Sequence, residues 1–206
     1  MTPLALPGKF SALNPSARST ALRAFHPTLM VAGRAIADLR DSLVQEWADW
    51  LGDRMTASTT IPRSLVEREL RLIIDVLVQL VGPYRRETKV VWERLCEHYG
   101  QAAAARGLAA GEVVEELQYL RELLTRNLAP IIAAMRARQG MAMLLHLNRM
   151  LDQGVAVAVV GYTNALVATL FSQNGVPAAD AEFDAADVER QLETIEETLV
   201  TVIGPS

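Results

Sequence analysis

The residues with the most chemical potential are Cys96 and His98, which lie two positions apart on one predicted helix. A thiolate at Cys96 would be a nucleophile or a redox sensor. The imidazole of His98 could ligate haem iron or transfer protons. Cys96 falls inside an apolar helical pattern, so we expect a buried, inert thiol. His98 lies at the edge of that pattern. We therefore expect a boundary histidine bonded to water or a carboxylate, with proximal haem ligation as the alternative, and we expect Trp92 and Tyr99 to be core anchors.

The two remaining histidines are weaker candidates for chemistry. His26 stands outside the core pattern. His146 shares a helical face with Arg149 and Gln153, and this pattern predicts an exposed side chain.

The sequence contains none of the common catalytic or phosphate-binding motifs. A nucleophile elbow, a zinc-protease helix, a phosphate loop and a dinucleotide glycine pattern are all missing. Asp180, Asp184 and Asp187 lack the central glycine and terminal glutamate of a calcium loop, so we expect a solvated helix start there. We predict a protein that is not an enzyme and that uses neither a metal nor a cofactor.

Composition narrows the class of protein further. The 206 residues suit one domain, half of them are hydrophobic, and the formal net charge is −4. An acidic chain without a basic patch argues against nucleic-acid binding. The first residues lack the apolar run of a signal peptide, and the chain has one cysteine, so we expect a cytoplasmic protein.

The elements that position these residues are predicted helices, since no strand-like alternation of useful length is present. We expect residues 1–26 to form a flexible or loosely packed arm, with a boundary at Pro27. Ser64 and Glu67 form a candidate capping box for a second helix. The third helix is predicted over about residues 85–106, with Gly107 as its C-terminal cap. A fourth apolar stripe follows, and Pro130 should bend or interrupt it.

The central helices resemble a known sensor family. The order and spacing of Trp92, His98, Tyr99 and Gly107, followed by the segment 112–121 and later by 147–152, are similar to the N-terminal sensor domain of RsbR-type proteins, co-antagonists of the bacterial stressosome. The resemblance covers roughly residues 35–172. It implies a globin-like helical fold without haem, a homodimer, and signalling through a C-terminal helix. The chain ends at Ser206, too early for the usual C-terminal phosphoacceptor domain, so we expect no autonomous output.

The segment from Gln153 to Ala179 has no charged residue and is rich in small side chains. Its length would cover a bilayer. Thr163 and Asn164 near its middle, the scarcity of large aliphatic residues and the lack of a flanking basic cluster favour a buried central helix. We expect that helix to pack closely in a soluble core, with a membrane-spanning helix as the alternative. The small residues that would permit close packing are Gly154, Ala156, Ala158, Gly161, Ala165 and Ala168.

The last helix has the most regular apolar pattern. Val188, Leu192, Ile195, Leu199 and Val202 recur at spacings of four, three, four and three residues, as in a coiled-coil seam. Many acidic residues surround this seam. One interpretation is an amphipathic helix packed on its own domain, and the other is a dimer or partner interface.

These observations predict an all-α, globin-like bundle of about six helices. We expect a sensor domain at 27–179 and an acidic C-terminal helix at 180–206. The predicted function is a non-catalytic signal-transduction module that acts through a homodimer or a regulatory protein partner at the α-helical seam. The alternative is a haem- or small-ligand-binding sensor of globin type.

Overall fold

Six α-helices and their connecting turns make up the part of the chain that the structure describes. This computed structural model describes residues 15–54, 62–82, 84–171 and 185–204, and the side-chain surroundings of 29–53, 62–82, 84–168, 186 and 188–204. The helices are α1 (Pro15–Arg54), α2 (Arg63–Leu80), α3 (Arg85–Ala105), α4 (Ala110–Ala134), α5 (Ala137–Phe171) and α6 (Ala185–Ile203). The prediction of an all-α bundle is confirmed.

Helix α1 is longer than the sequence pattern predicts. It begins at Pro15 and continues without a break through Pro27, so the helix boundary predicted at Pro27 is wrong. An interior proline removes one backbone hydrogen bond, but the helical path on both sides of it is kept. Residues 1–14 of the predicted arm, and the side chain of His26, lie outside the described residues.

The start of α2 differs from the predicted capping box. Pro62 is the N-cap residue, and no side chain caps the first exposed amides. Ser64 lies inside the helix, and Glu67 instead accepts a hydrogen bond of 2.8 Å from Nε of Arg63. The predicted capping box is therefore wrong, and the observed N-cap lies two residues before Ser64.

The turn between α3 and α4 follows the prediction, and one of the two effects predicted for Pro130, an interruption of α4, is not seen. Gly107 has a φ of +78°, the left-handed geometry that glycine adopts without strain. Pro130 does not interrupt α4, which continues to Ala134.

Helix α3 occupies the centre of the bundle. It contacts α2, α4, α5 and α6, while α1 packs against α2, α4 and α5. Trp92 and Tyr99 on α3 are almost fully buried, as is Trp47 on α1. The prediction that Trp92 and Tyr99 are core anchors is confirmed, and α3 contacts four of the five other described helices.

Small residues let α3 and α5 cross at very short range. A methyl group built on Gly100 would lie 1.8 Å from the backbone oxygen of Ala158, and one on Gly161 would lie 2.2 Å from that of Glu97. Gly154 similarly faces the indole of Trp92 at 2.5 Å. Close packing through Gly154, Ala158 and Gly161 is therefore confirmed.

Candidate functional site

The apolar seam of α6 is used inside its own bundle. Val188, Leu192, Ile195 and Leu199 are buried, and Val202 is half-buried against the same core. Their surroundings come from α2 and α3, the helices that α6 contacts. A side chain already buried in its own domain cannot also bury itself against a partner. This burial favours the interpretation of a helix packed on its own domain, while a dimer or partner interface at these residues stays a prediction.

One arginine ties the acidic side of α6 to the bundle. Arg68 of α2 donates to both carboxylate oxygens of Glu196, at 3.0 and 2.7 Å, and Glu189 lies 3.5 Å away. This two-bond geometry is the strongest arrangement available to an arginine and a carboxylate. The hydrogen bond to Glu196 raises the pKa of Arg68 above its ordinary value. The carboxylates of α6 are thus arranged around a cation of the same chain.

The outward face of α5 forms a straight and largely apolar surface, which we call the α5 stripe. Met141, Leu145 and Val160 on it are 57%, 59% and 55% exposed. Successive members are three or four residues apart, and equivalent positions recur every eleven residues, or about 3.67 residues per turn, close to the 3.6 of an α-helix. The exposed members are Met141, Leu145, Arg149, Asp152, Ala156, Val160, Thr163 and Val167.

The exposure of the α5 stripe corrects the prediction of a buried central helix. Only the opposite face of α5, which includes Met143, Leu147 and Ala158, is buried. Of the six small residues predicted at close contacts, Ala156 and Ala168 are exposed and Ala165 is half-buried. The described part of the segment 153–179 is thus a two-faced helix.

Helix α5 is long and apolar enough to cross a membrane, judged by its length and composition alone. Among the described residues it is the single such helix, over 137–168, and 33% of its most apolar part is buried. Core helices of soluble proteins can have the same length and composition. Arg149 and Asp152 are exposed within this range, and Arg121 of α4 forms an ion pair with Asp152.

His98 is buried against a carboxylate of α2. Its Nδ1 lies 2.8 Å from Oε1 of Glu69, and the two side chains are each 5% exposed. The predicted carboxylate partner is therefore found, but the predicted boundary position is wrong. A haem ligand needs a nitrogen that faces an apolar space large enough for the macrocycle. His98 instead faces a polar cavity of about 220 Å³, smaller than the usual drug-sized pocket of roughly 300–1,000 Å³.

A second buried polar cluster joins α3 to α4. The hydroxyl of Tyr99 donates to Glu116 at 2.5 Å, and Arg106 donates to the same carboxylate at 3.0 and 3.3 Å. The guanidinium of Arg106 also lies over the ring of Tyr99, 5.5 Å from its centre. Burial, with the negative charge of Glu116, raises the pKa of Tyr99 well above its ordinary value. The hydroxyl therefore keeps its proton, and the cluster fixes α4 on α3.

Sequence reasoning missed the three charged members of these clusters, Glu69, Arg106 and Glu116. A usable signal was present for two of them. Glu69 follows Leu65 by four positions on the apolar side of α2, and Glu116 follows Val113 by three on that of α4. A carboxylate at a core position of a helix requires a buried partner, and this requirement points to His98, Tyr99 and Arg106.

Cys96 and His146 complete the predicted candidates. Cys96 is 1% exposed, and burial raises the pKa of its thiol well above the ordinary value. The prediction that Cys96 is buried is confirmed, and the raised pKa of the thiol explains why we expect it to be unreactive. His146 is half-buried and not exposed as predicted. Burial, then the positive charges of Arg85 and Arg149, lower the pKa of His146.

The acidic residues do not assemble a metal site within the described part of the chain. No group of three or more histidine, cysteine, aspartate or glutamate side chains with suitable geometry is present there. The side chains of Asp180, Asp184 and Asp187, which were predicted to be a solvated helix start, lie outside the described residues.

Comparison of the chain with protein-family models, with curated proteins and with solved structures gives no match. The resemblance to RsbR-type sensor domains therefore stays a prediction. The features of the structure that bear on function are the α5 stripe, the packing of α6 and the polar groups around α3.

Proposed function

We propose that this chain is a non-catalytic regulatory module, of the type of RsbR N-terminal sensor domains, which acts in bacterial stress signalling as a homodimer. The α5 stripe is the observation that carries the proposal. Apolar patches of roughly 300–600 Å² on soluble proteins are often functional, and the α5 stripe is of that size although Arg149, Asp152 and Thr163 interrupt it. The interface moves from the α6 seam, where the sequence pattern placed it, to α5.

A second copy of this chain fits the α5 stripe best when the two helices run antiparallel. A parallel pair would place Arg149 beside Arg149 and Asp152 beside Asp152 of the other copy, and such like-charge contacts are unfavourable. An antiparallel pair centred near residue 154 places Arg149 against Val160 and Asp152 against Ala156. It also places Leu145 against Thr163 of the other copy, so the apolar ends of the stripe cover each other.

The size of the stripe sets the strength of the proposed dimer. With 1.5 Å per residue and a helix about 10 Å wide, the stripe covers about 40 by 10 Å, or roughly 400 Å² per copy. A stable interface buries about 800 Å² per partner. The α5 stripe alone therefore gives a dimer that dissociates on dilution, and additional contacts would be needed for a permanent one.

A signalling route follows from the same contacts. Helix α3 touches both α5 and α6, so a change in α5 packing reaches α6 through one rigid element. Such a route requires two packings of the bundle whose balance a ligand or partner can shift. In this proposal α6 delivers the output when its docking on α2 and α3 changes.

The membrane alternative is less favourable for a physical reason. Each of Arg149 and Asp152 near the bilayer centre would cost about 2.5–3.5 kcal/mol by insertion scales. Arg136 and Arg138 stand at the first end of the range, too far from the bilayer centre to offset that cost. The haem alternative is disfavoured by the small volume and polar lining of the cavity beside His98.

The proposal is tested by sedimentation equilibrium over a wide concentration range. We expect reversible dimerisation of the unaltered chain, and its loss in Leu145→Glu and Val160→Glu, because each carboxylate would be buried in the pair. Val90→Glu is the matched control, since Val90 is 68% exposed on α3 and lies off the α5 stripe. A monomer at high micromolar concentration would exclude the homodimer. A chain found only in detergent micelles would support the membrane alternative.

Cysteine crosslinking tests the antiparallel register. Leu145→Cys together with Thr163→Cys should give a disulfide-linked dimer under mild oxidation, whereas Leu145→Cys alone should not. Cys96 is buried, so it does not compete under native conditions. Efficient crosslinking of Leu145→Cys alone would instead establish a parallel pair.

A further inference from the structure

A small polar cavity lies between α3 and α6, away from the α5 stripe. Its volume is about 220 Å³. Four of its lining residues share one face of α3, and α6 supplies the other two. The lining residues are Arg94, Glu97, His98, Gln101, Gln191 and Ile195.

The orientation of His98 determines what this cavity offers. Nδ1 lies against the carboxylate of Glu69, so it carries the proton and donates it. The two ring nitrogens point in nearly opposite directions, so Nε2 is directed away from Glu69, and His98 is one of the residues that line the cavity. In the neutral ring Nε2 would be a hydrogen-bond acceptor on a side chain that is only 4% exposed.

Two opposite charges stand on the same wall of the cavity. Arg94 is exposed, and Glu97 is half-buried one helical turn further on. Within the described residues neither forms an ion pair, although many other charged side chains of the bundle do. The guanidinium can hold a carboxylate with two parallel hydrogen bonds. The carboxylate of Glu97, with Nε2 of His98, can accept hydrogen bonds from an ammonium group.

We propose that this cavity binds a small zwitterion that carries one carboxylate and one ammonium group. Arg94 would hold the carboxylate, while Glu97 and His98 would hold the ammonium, and the amides of Gln101 and Gln191 would close the site. At about 30 Å³ per water-sized group, the cavity holds about seven non-hydrogen atoms. That size fits glycine, alanine or an amino acid with its two charges slightly further apart.

Binding would also hold α6 in place, because the ligand would touch both α3 and α6. A ligand that binds only the docked arrangement of α6 stabilises that arrangement. The role of such a ligand as the signal rests on the proposed function, whereas the binding itself does not.

The experiment is a calorimetric titration of the full chain with glycine, L-alanine, β-alanine and 4-aminobutyrate, each one separately. We expect at least one to bind, and Arg94→Gln and Glu97→Gln each to weaken that binding at least tenfold, the loss usual for one hydrogen bond to a charged group. Arg86→Gln and Glu87→Gln are the controls, since both residues are exposed on the first turns of α3 and do not line the cavity. Hydrogen exchange of the α6 amides should slow when the ligand is added.

Three results would overturn the proposal. Binding of none of the four compounds would exclude a zwitterion site of this size. Equal binding of acetate or methylammonium would show a simple ion site, and undiminished binding by Arg94→Gln or Glu97→Gln would place the ligand elsewhere. The dimer variant Leu145→Glu should bind the ligand as the unaltered chain does. Failure of the dimer and failure of the cavity are therefore separable.

Discussion

We expect Gly100→Ala and Gly161→Ala to destabilise the bundle strongly, because each added methyl group would meet the backbone of the facing helix. Gly100 on α3 lies opposite Ala158 on α5, and Gly161 on α5 lies opposite Glu97 on α3. The two positions probe the same helix crossing from opposite sides. A similar loss of stability at both positions would show that the crossing itself, and not a local feature of either helix, is responsible.

The magnitude follows from the distances. A Cβ would lie 1.8 Å from the oxygen of Ala158 or 2.2 Å from that of Glu97, well inside the normal contact distance. A flexible side chain could rotate away, but a helix backbone has to translate. Overpacking in a core costs about 1–3 kcal/mol, and a clash with backbone belongs at or above the upper end. At about 2–4 °C per kcal/mol for a chain of this length, the melting temperature should fall by roughly 6–12 °C or more.

The assay is urea unfolding followed by circular dichroism and by tryptophan fluorescence. Trp92 packs beside Gly154 at the same crossing, so Trp47→Phe and Trp50→Phe in the background leave Trp92 as the emitter that reports local separation of α3 and α5. Gly111→Ala is the matched control. Gly111 lies in α4, and a methyl group there would meet nothing within 4 Å. Alanine should leave stability unchanged or raise it by up to about 1 kcal/mol, because alanine favours the helix.

The result that would refute this reasoning is a small loss at both glycines. If Gly100→Ala and Gly161→Ala each lower the free energy of unfolding by less than about 1 kcal/mol, the loss would be smaller than overpacking usually causes. Helices α3 and α5 would then not be in backbone contact. The route from α5 to α6 through a rigid α3 would lose its support as well.

The buried polar groups give three more outcomes. Arg106→Gln and Glu116→Gln should each lower the free energy of unfolding by about 3 kcal/mol or more, since either change leaves a buried charge unpaired; in a urea titration the exposed control Arg63→Gln should leave the midpoint unchanged. In His146→Gln the free energy of unfolding should fall less steeply as the pH drops below 6.5, the ordinary pKa of the imidazole. Burial, then nearby positive charge, lowers the pKa of His146, so the unfolded chain takes up the proton first and acid favours unfolding; equal slopes in the two proteins would contradict this. Cys96 should resist a thiol reagent in the native chain and react fully in denaturant, because burial raises its pKa; rapid native labelling would show that α3 opens.

The helical class and the buried faces of α2, α4 and α6 could be predicted from the sequence because they depend on local periodicity. The stripes that include Leu72, Leu120 and Leu192 are buried, as their spacing predicts. Gly107 could be assigned as a cap because its conformation is set by steric rules within one turn. Pro27 and Pro130 could not be judged in the same way. Tertiary packing outweighs the cost of a proline inside a helix, and a single sequence does not contain that balance.

The polar clusters escaped prediction because each depends on two or more helices. Glu69 and His98 are 29 residues apart, and Glu116 lies 17 residues from Tyr99. A helical wheel places each of them on a face, but it cannot supply the partner on another helix. The cavity between α3 and α6 is even harder to predict from sequence, because its two walls are nearly a hundred residues apart along the chain.

Helix α5, and not α6, presents large apolar side chains to solvent, and the α3–α5 crossing is one physical reason. A close backbone approach requires small residues on the inward face of α5, and Gly154, Ala158 and Gly161 supply them in the second half of the helix. The first half buries large residues such as Met143 and Leu147, while Met141, Leu145 and Val160 lie on the outward face along the whole helix. On α6, by contrast, the seam of branched aliphatic residues fills the space beside α2 and α3, and Arg68 offsets the nearby acidic charge. Bulk alone therefore does not identify the buried face of a helix. Where the inward face is built from glycine and alanine, large apolar residues on the outward face are the ones that need a partner from another molecule.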